Sequence, residues 1–325
     1  MRRSILIIAP HIPAYDTNAG DWRVWVLVKE LSKKYDVYFC PIDNKANLKY
    51  KPALKKYIKQ FAPITAAGGF DAVIFEKYFG IDYSKCLRRF LTIPNLIIDT
   101  HDIGYLKAER AGDKNWQKIK NNETALYKMA RTLIAISDFD RGLLPGNKHV
   151  IVIPTPSENK LKKFPPYEKR KGIALWGYWN YPANADALKY FSKEIAPLLS
   201  PDIPVSVLGY GSAKENIKNI QSELSKYRVT AVPLRWGSGV KKKIIDSFSA
   251  QTPVVTTPVG AEGINISKSA VCLNAKSFAK ILVNVYNDKK LWQKHSRHGY
   301  KLFVENYTMA NFRKSLKRLY KAIGR

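Results

Sequence analysis

Cysteine is scarce in this sequence: Cys40, Cys86 and Cys272 form an odd, widely spaced set. That pattern excludes a disulfide framework, shows no metal-ligand spacing, and suits a reducing compartment. Long apolar runs are missing as well. The longest near the N-terminus, Ile5 to Pro10, is too short to cross a bilayer and too short for a secretory leader, despite Arg2 and Arg3 before it. The expected setting is therefore cytoplasmic. No Ser-His-Asp arrangement, complete phosphate-binding P-loop or solenoid repeat is visible, so neither a metal nor a resident cofactor is expected. Acidic residues are the remaining shortage, with 26 Asp and Glu against 55 Lys and Arg and a net charge of +29.

Hydrophobic residues make up 46% of the chain, enough to build packed cores and to exclude a disordered protein. A length of 325 residues exceeds what one core usually serves, so two domains are expected. Both halves are basic: 25 basic against 15 acidic residues up to Thr155, then 30 against 11. Such a field favours nucleotide phosphates, nucleic acid or an anionic membrane surface. The competing explanation is lysine used as a generic surface residue, and the charge alone leaves the two even.

Buried strands alternate with amphipathic helices through the first half. Strands are expected at Ser4–Ala9, Asp36–Pro41, Ala72–Phe75, Asn95–Asp99, Leu133–Ser137 and Val150–Pro154. Asp21 is read as capping a helix that runs to about Tyr35, Lys51–Phe61 as helical, and Thr124 to Arg131 as continuing a helix. The polar, proline-containing stretch Ser157 to Lys171 reads as a linker. A second run follows, with strands at Gly172–Trp176, Val205–Gly209, Val229–Pro233, Val254–Thr257 and Ala270–Leu273. Helices are expected at Asn184–Leu199, Lys214–Ser225 and Lys241–Ala250, and from Ala275 onward. The expected fold class is α/β, with two Rossmann-like doubly wound parallel-sheet domains facing across a cleft. The boundaries are 1–156, a linker at 157–171, 172–304, and a closing helix at 305–325 that crosses back to the first domain.

One segment concentrates the chemistry. Val232 to Gly263 runs strand, glycine-rich loop, helix, strand, loop. Gly237 and Gly239 permit close backbone approach, and a helix starting near Val240 aims free N–H groups at the loop, a ready anion site. Arg235, Lys241, Lys242 and Lys243 surround it. Taken alone, the segment reads better as an ordinary connection beside a solvated lysine face.

The whole pattern resembles the nucleotide-sugar domain of GT-B glycosyltransferases, particularly glycosyltransferase family 4. The matching residues are Pro233, Leu234, Arg235, Gly237, Gly239, Lys241, Lys243, Ile244, Pro253, Val254, Val255, Thr257, Gly260, Glu262 and Gly263. Leu175 to Leu199, which includes Gly177, resembles the opening of that domain, and Val207 to Gly211 its next strand and turn. Ile97–Ile103, Ile134–Leu144, Val152–Pro156 and Glu305–Tyr320 extend the similarity over nearly the whole chain.

The resemblance implies a hexosyltransferase that moves a sugar from a nucleotide-diphosphate sugar to an acceptor hydroxyl, metal-independent and retaining, in glycan or glycoconjugate synthesis. Its implied donor-binding residues are Gly177, Arg235, Gly237, Ser238, Gly239, Val240, Lys243 and Asp246, with Asn18 and Gly20 after the first strand. Gly239 and Val240 would offer backbone N–H groups to the diphosphate, with Arg235 and Lys243 countering its charge. Ser238 and Asp246 stand where the family carries two glutamates, and Gln251 where it carries glycine. The segment between Gly211 and Val229, which normally helps form the nucleobase pocket, is short.

His101 and Asp102 follow a buried strand and are the catalytic candidates. At a strand's carboxyl end a histidine can orient the acceptor hydroxyl or hydrogen-bond the donor sugar, although a loop histidine capped by Asp102 reads equally well. Implied partners are the nucleotide sugar and a lipid-linked or protein-linked acceptor glycan. The sequence leaves the oligomeric state open. Trp22 and Trp25 beside Arg23, Lys29, Lys33 and Lys34 suit a peripheral membrane contact, with a packed helix as the plainer reading. The charge admits a nucleic-acid-modifying glycosyltransferase as an alternative. Ser238 and the short base region admit another, a non-catalytic GT-B-like binding subunit.

Overall fold

The computed structural model describes residues 2–65, 69–76, 90, 92–93, 95–146, 148–159, 161–215 and 217–324, so Cys86 lies outside the described residues. The chain divides into two compact units, 1–155 with 312–325, and 156–311.

The first unit is built on a wholly parallel sheet of β1 (Ser4–Ala9), β2 (Asp36–Pro41), β3 (Gln60–Phe61), β4 (Ala72–Glu76), β5 (Leu96–Asp99), β6 (Thr132–Ala135) and β7 (His149–Val152). Their order is β3-β2-β1-β4-β5-β6-β7. The central strands are buried on both faces, as apolar runs such as SILIIA and AVIFE require of a parallel sheet. Strand order reverses between β1 and β4, and in open α/β sheets such a switch point opens the crevice that takes ligands.

Two sequence expectations change in this unit. The helix after β1 is Ala19–Leu31, and its N-cap is Asn18, whose side chain accepts from the Asp21 backbone N–H. Asp21 instead turns its carboxylate back to the Ala14 N–H and to His11. Lys51–Phe61 is helical only over Lys51–Lys55, because Gln60 and Phe61 pair with Tyr38 and Phe39 as an edge strand. The closing helix Met309–Gly324 buries Phe312, Leu316, Leu319 and Ile323. Its Arg313 reaches Glu30 at 3.0 Å on the helix Ala19–Leu31. Trp25 of that same helix packs against Tyr15 and Tyr57, so its indole serves an aromatic cluster.

The second unit carries a four-stranded parallel sheet of β8 (Ile173–Trp176), β9 (Val205–Leu208), β10 (Val229–Val232) and β11 (Val254–Thr256), ordered β11-β10-β8-β9. Its switch point falls between β8 and β10. The expected helix over Asn184–Leu199 is Pro182–Tyr190 followed by a π turn and a short 3-10 turn, where Pro197 offers no N–H. Among its described residues, Lys214–Ser225 contributes the short helix Ile220–Leu224, capped by Asn219. Ala270–Leu273 makes a single bridge, Thr256 to Val271, in place of a strand. Residues of the expected linker are fastened to this unit: Ser157 Oγ donates to Asp246, and the buried Arg170 donates to Pro165, Ala250 and Thr252.

Candidate functional site

The residues picked out in the second unit gather at the carboxyl ends of β8 and β10. Gly177 follows β8, and a Cβ there would stand 2.9 Å from Lys243 Nζ. Lys243, in the first turn of the helix Lys242–Ser249, donates to Asn184 Oδ1 at 2.7 Å, and its ammonium lies 5.6 Å from the Trp179 ring centre. Burial, with Lys241 adding repulsion, pulls the Lys243 ammonium down to about 7. A lysine held at that poise gains most when an anion arrives.

The helix Lys242–Ser249 begins against its own dipole. Its N-cap is Lys241, no side chain caps it, and its first turn holds no acidic residue. Helix N-termini favour anions and disfavour cations, so Lys241 and Lys243 there, with Lys242 paired to Asp246, gain when a negative group is bound. The loop before it is shaped by Gly237 (φ 129°) and Gly239 (φ 71°), conformations that side chains rarely adopt. Lys241 Nζ curls back to the Ser238 and Gly239 carbonyls, while Val240, half-buried, leads into the helix. Ser238 is 8% exposed, and its hydroxyl is buried with no hydrogen-bond partner. Buried polar groups normally have partners, so this hydroxyl marks a place for one.

Two other residues are otherwise engaged. Arg235 is bidentate to Asp186, with Nε at 2.9 Å from Oδ2, and lies over the Tyr190 ring. Asp246 is fully buried, held by Lys242 Nζ at 2.7 and 2.9 Å and by Ser157 Oγ at 2.7 Å. Gln251 takes φ 53° just past the end of this helix, a left-handed position at which glycine is the usual residue.

In the first unit the structure makes a connection that spacing did not reveal. Glu76 ends β4, Asp99 ends β5, and His101 follows with φ 52°. His101 Nε2 lies 2.6 Å from Glu76 Oε2, while Arg23 Nε donates to Asp99 Oδ2 at 2.8 Å. Glu76 and Asp99 are almost wholly buried, and burial and the neighbouring Asp99 raise the Glu76 carboxyl. Asp102 is the next residue, half-buried. Glu76, Asp99 and His101 also offer ligand atoms within 4.8 Å of one another. With a guanidinium on Asp99 and the imidazole on Glu76, the group is an ion-paired hydrogen-bond network before it is a cation site. Asn18 is spent as a helix cap, and Gly20 lies inside that helix's first turn, where Asp21 already supplies a carboxylate.

A carboxylate bonded to an imidazole fixes its tautomer and orientation. Glu76→Gln is therefore expected to loosen the hold on the His101 ring, read as a change in its tautomer balance by imidazole nitrogen NMR. An unchanged spectrum would show that Glu76 does not set the ring's orientation.

No protein-family model matches the chain, and no curated protein matches it in sequence. Solved structures do match. Sucrose-phosphate synthase from Thermosynechococcus elongatus is 13% identical with a TM-score of 0.72, covering 98% of each chain. HepE from Anabaena, in complex with UDP, is 11% identical with a TM-score of 0.74, covering 98% of this chain and 100% of its own. TarM is 10% identical with a TM-score of 0.72, covering 100% and 99%. Likeness at this identity establishes the fold, which is the GT-B fold of glycosyltransferase structures.

Proposed function

We propose that the chain is a glycosyltransferase that takes its sugar from a nucleoside-diphosphate donor and passes it to an acceptor hydroxyl. The observation that carries this reading is the uncapped, lysine-flanked start of the helix Lys242–Ser249, with the unpartnered Ser238 hydroxyl beside it. A diphosphate there would meet the positive end of that helix, the Lys243 ammonium and that hydroxyl. In glycosyl transfer the leaving diphosphate gains negative charge, so groups fixed at that point stabilise the transition state more than the ground state. The solved complexes of HepE hold UDP or UDP-glucose, which makes a uridine donor the first to try.

In this reading transfer is metal-independent, because fixed cations take the role of a metal at the diphosphate, and retaining, as the family resemblance implies. The network of Arg23, Asp99, Glu76 and His101 holds the imidazole at the strand ends of the first unit, the side on which the acceptor would be received. The acceptor is a glycan or glycoconjugate, and the setting is cytoplasmic at or near an anionic membrane. No described helix is long and apolar enough to cross a membrane.

Titration calorimetry with uridine, guanosine, adenosine and thymidine diphosphates tests the donor reading. At least one should bind and raise the thermal midpoint, with about 2.7 kcal/mol of stabilisation at a hundredfold excess over Kd. No binding at millimolar ligand sinks it. The engagement of Arg235 by Asp186 and of Asp246 by Lys242 favours a second reading, a non-catalytic subunit that binds nucleotide or glycan. Nucleotide binding without donor hydrolysis or transfer would select that one.

A further inference from the structure

Tyr178 and Tyr210 stand at the tips of the loops that follow β8 and β9, next to the candidate donor site. They are 41% and 57% exposed, and their rings touch, with centroids 5.3 Å apart and planes at 38°. Single exposed apolar residues are ordinary, but two large rings held together in water leave a flat apolar surface open.

The loops that carry them are pinned. Gly209 takes φ 101°, and a Cβ there would lie 2.2 Å from the Gly177 carbonyl oxygen, so the two backbones meet directly. Gly177 N donates to Leu208 O at 3.1 Å, and Trp179 N to Tyr210 O at 2.9 Å. Gly211, at φ 84°, packs against Asn180 and donates to Glu215. The platform is thus fixed before any ligand arrives, which lowers the ordering cost of binding.

Asn184 joins this platform to the phosphate-facing lysine. Its Nδ2 donates to Tyr178 O at 2.7 Å, and its Oδ1 accepts from Lys243 Nζ at 2.7 Å. β9, β8 and β10 are adjacent in that order, so from the Tyr210 loop to the lysine loop is two strand spacings, about 10 Å, with the Tyr178 loop between them. That is the scale of a nucleoside diphosphate lying across the strand ends.

We propose that Tyr178 and Tyr210 form the stacking surface for the nucleobase of the donor, in place of a longer pocket between Gly211 and Val229. This rests on the donor reading of the same site. Stacking on an aromatic face is tolerant of which base is bound, because every base has such a face.

Calorimetry on the full chain with two probes, uridine diphosphate and inorganic pyrophosphate, tests it. The Tyr178→Ala, Tyr210→Ala double variant should bind uridine diphosphate roughly tenfold or more weakly and pyrophosphate as the parent does. Tyr178→Phe and Tyr210→Phe should keep the parent affinity for both. Uridine diphosphate affinity unchanged in the alanine variant overturns the proposal. So does an equal loss for pyrophosphate, which would mean that the rings only hold the loop. If the parent binds neither probe, the donor reading itself fails, and this inference with it.

Discussion

Lys243→Met is expected to weaken nucleoside-diphosphate binding roughly a hundredfold, the order of a lost hydrogen bond between charged groups. Methionine keeps most of the stem's length and removes the charge and its donors, including the hydrogen bond to Asn184. The parent should also show a pH dependence that the variant lacks. With the free ammonium poised at about 7, the parent must take up a proton to pair with the ligand above that pH. Its affinity should fall by up to tenfold per unit as pH rises from 7, since one unit is about 1.4 kcal/mol. The variant's profile should be flat over the same range.

The stability sign runs the other way. Because burial lowers the folded-state value, the unfolded chain binds more protons between about 7 and the ordinary lysine value of 10.5. Parent stability without ligand therefore rises through that window, and below 7 the folded state carries the whole cost of the buried charge. Lys243→Met should raise the ligand-free thermal midpoint most below pH 7, and the gain should shrink toward pH 10. A variant that binds diphosphate like the parent at pH 7 would remove Lys243 from the site.

The second large effect concerns Arg23. Its guanidinium donates to Asp99 and, at 2.7 Å, to the Ile153 carbonyl, and both side chains of the ion pair are almost wholly buried. Taking away one partner of such a pair leaves a charge in the core, at a cost of about 3–5 kcal/mol. Arg23→Met should destabilise the first unit by that order in urea unfolding. Adding Asp99→Asn should recover a good part, because the orphaned charge is then gone. If the single variant loses less than about 1 kcal/mol, the pair is behaving as a solvated one and the buried network is not as drawn.

Much of the scaffold was legible because parallel strands must be apolar on both faces. Ser4–Ala9 and Asp36–Pro41 are strands over their full expected spans. The segments read wrongly are those whose local preference was overridden by a neighbour. Gln60 and Phe61 leave a helical pattern to pair with β2, and Asn18 takes the cap assigned to Asp21. Gln251 shows how a substitution can hide a signal: the backbone bends left-handed there although the residue is not glycine.

The sequence by itself determined the alternation of strands and helices and the placing of glycines and lysines ahead of the helix Lys242–Ser249. Periodicity and turn chemistry are local, so one chain segment records them. Only the tertiary structure decided which side chains those elements bring together. Lys243 meets Asn184 from 59 positions away, Arg23 meets Asp99 from 76, and His101 meets Glu76 across neighbouring strands. Those meetings follow from strand order at the two switch points, which no run of residues encodes alone. The candidate anion site is therefore visible in the linear sequence, whereas the Arg23–Asp99 and Glu76–His101 pairs exist only once the sheet is assembled.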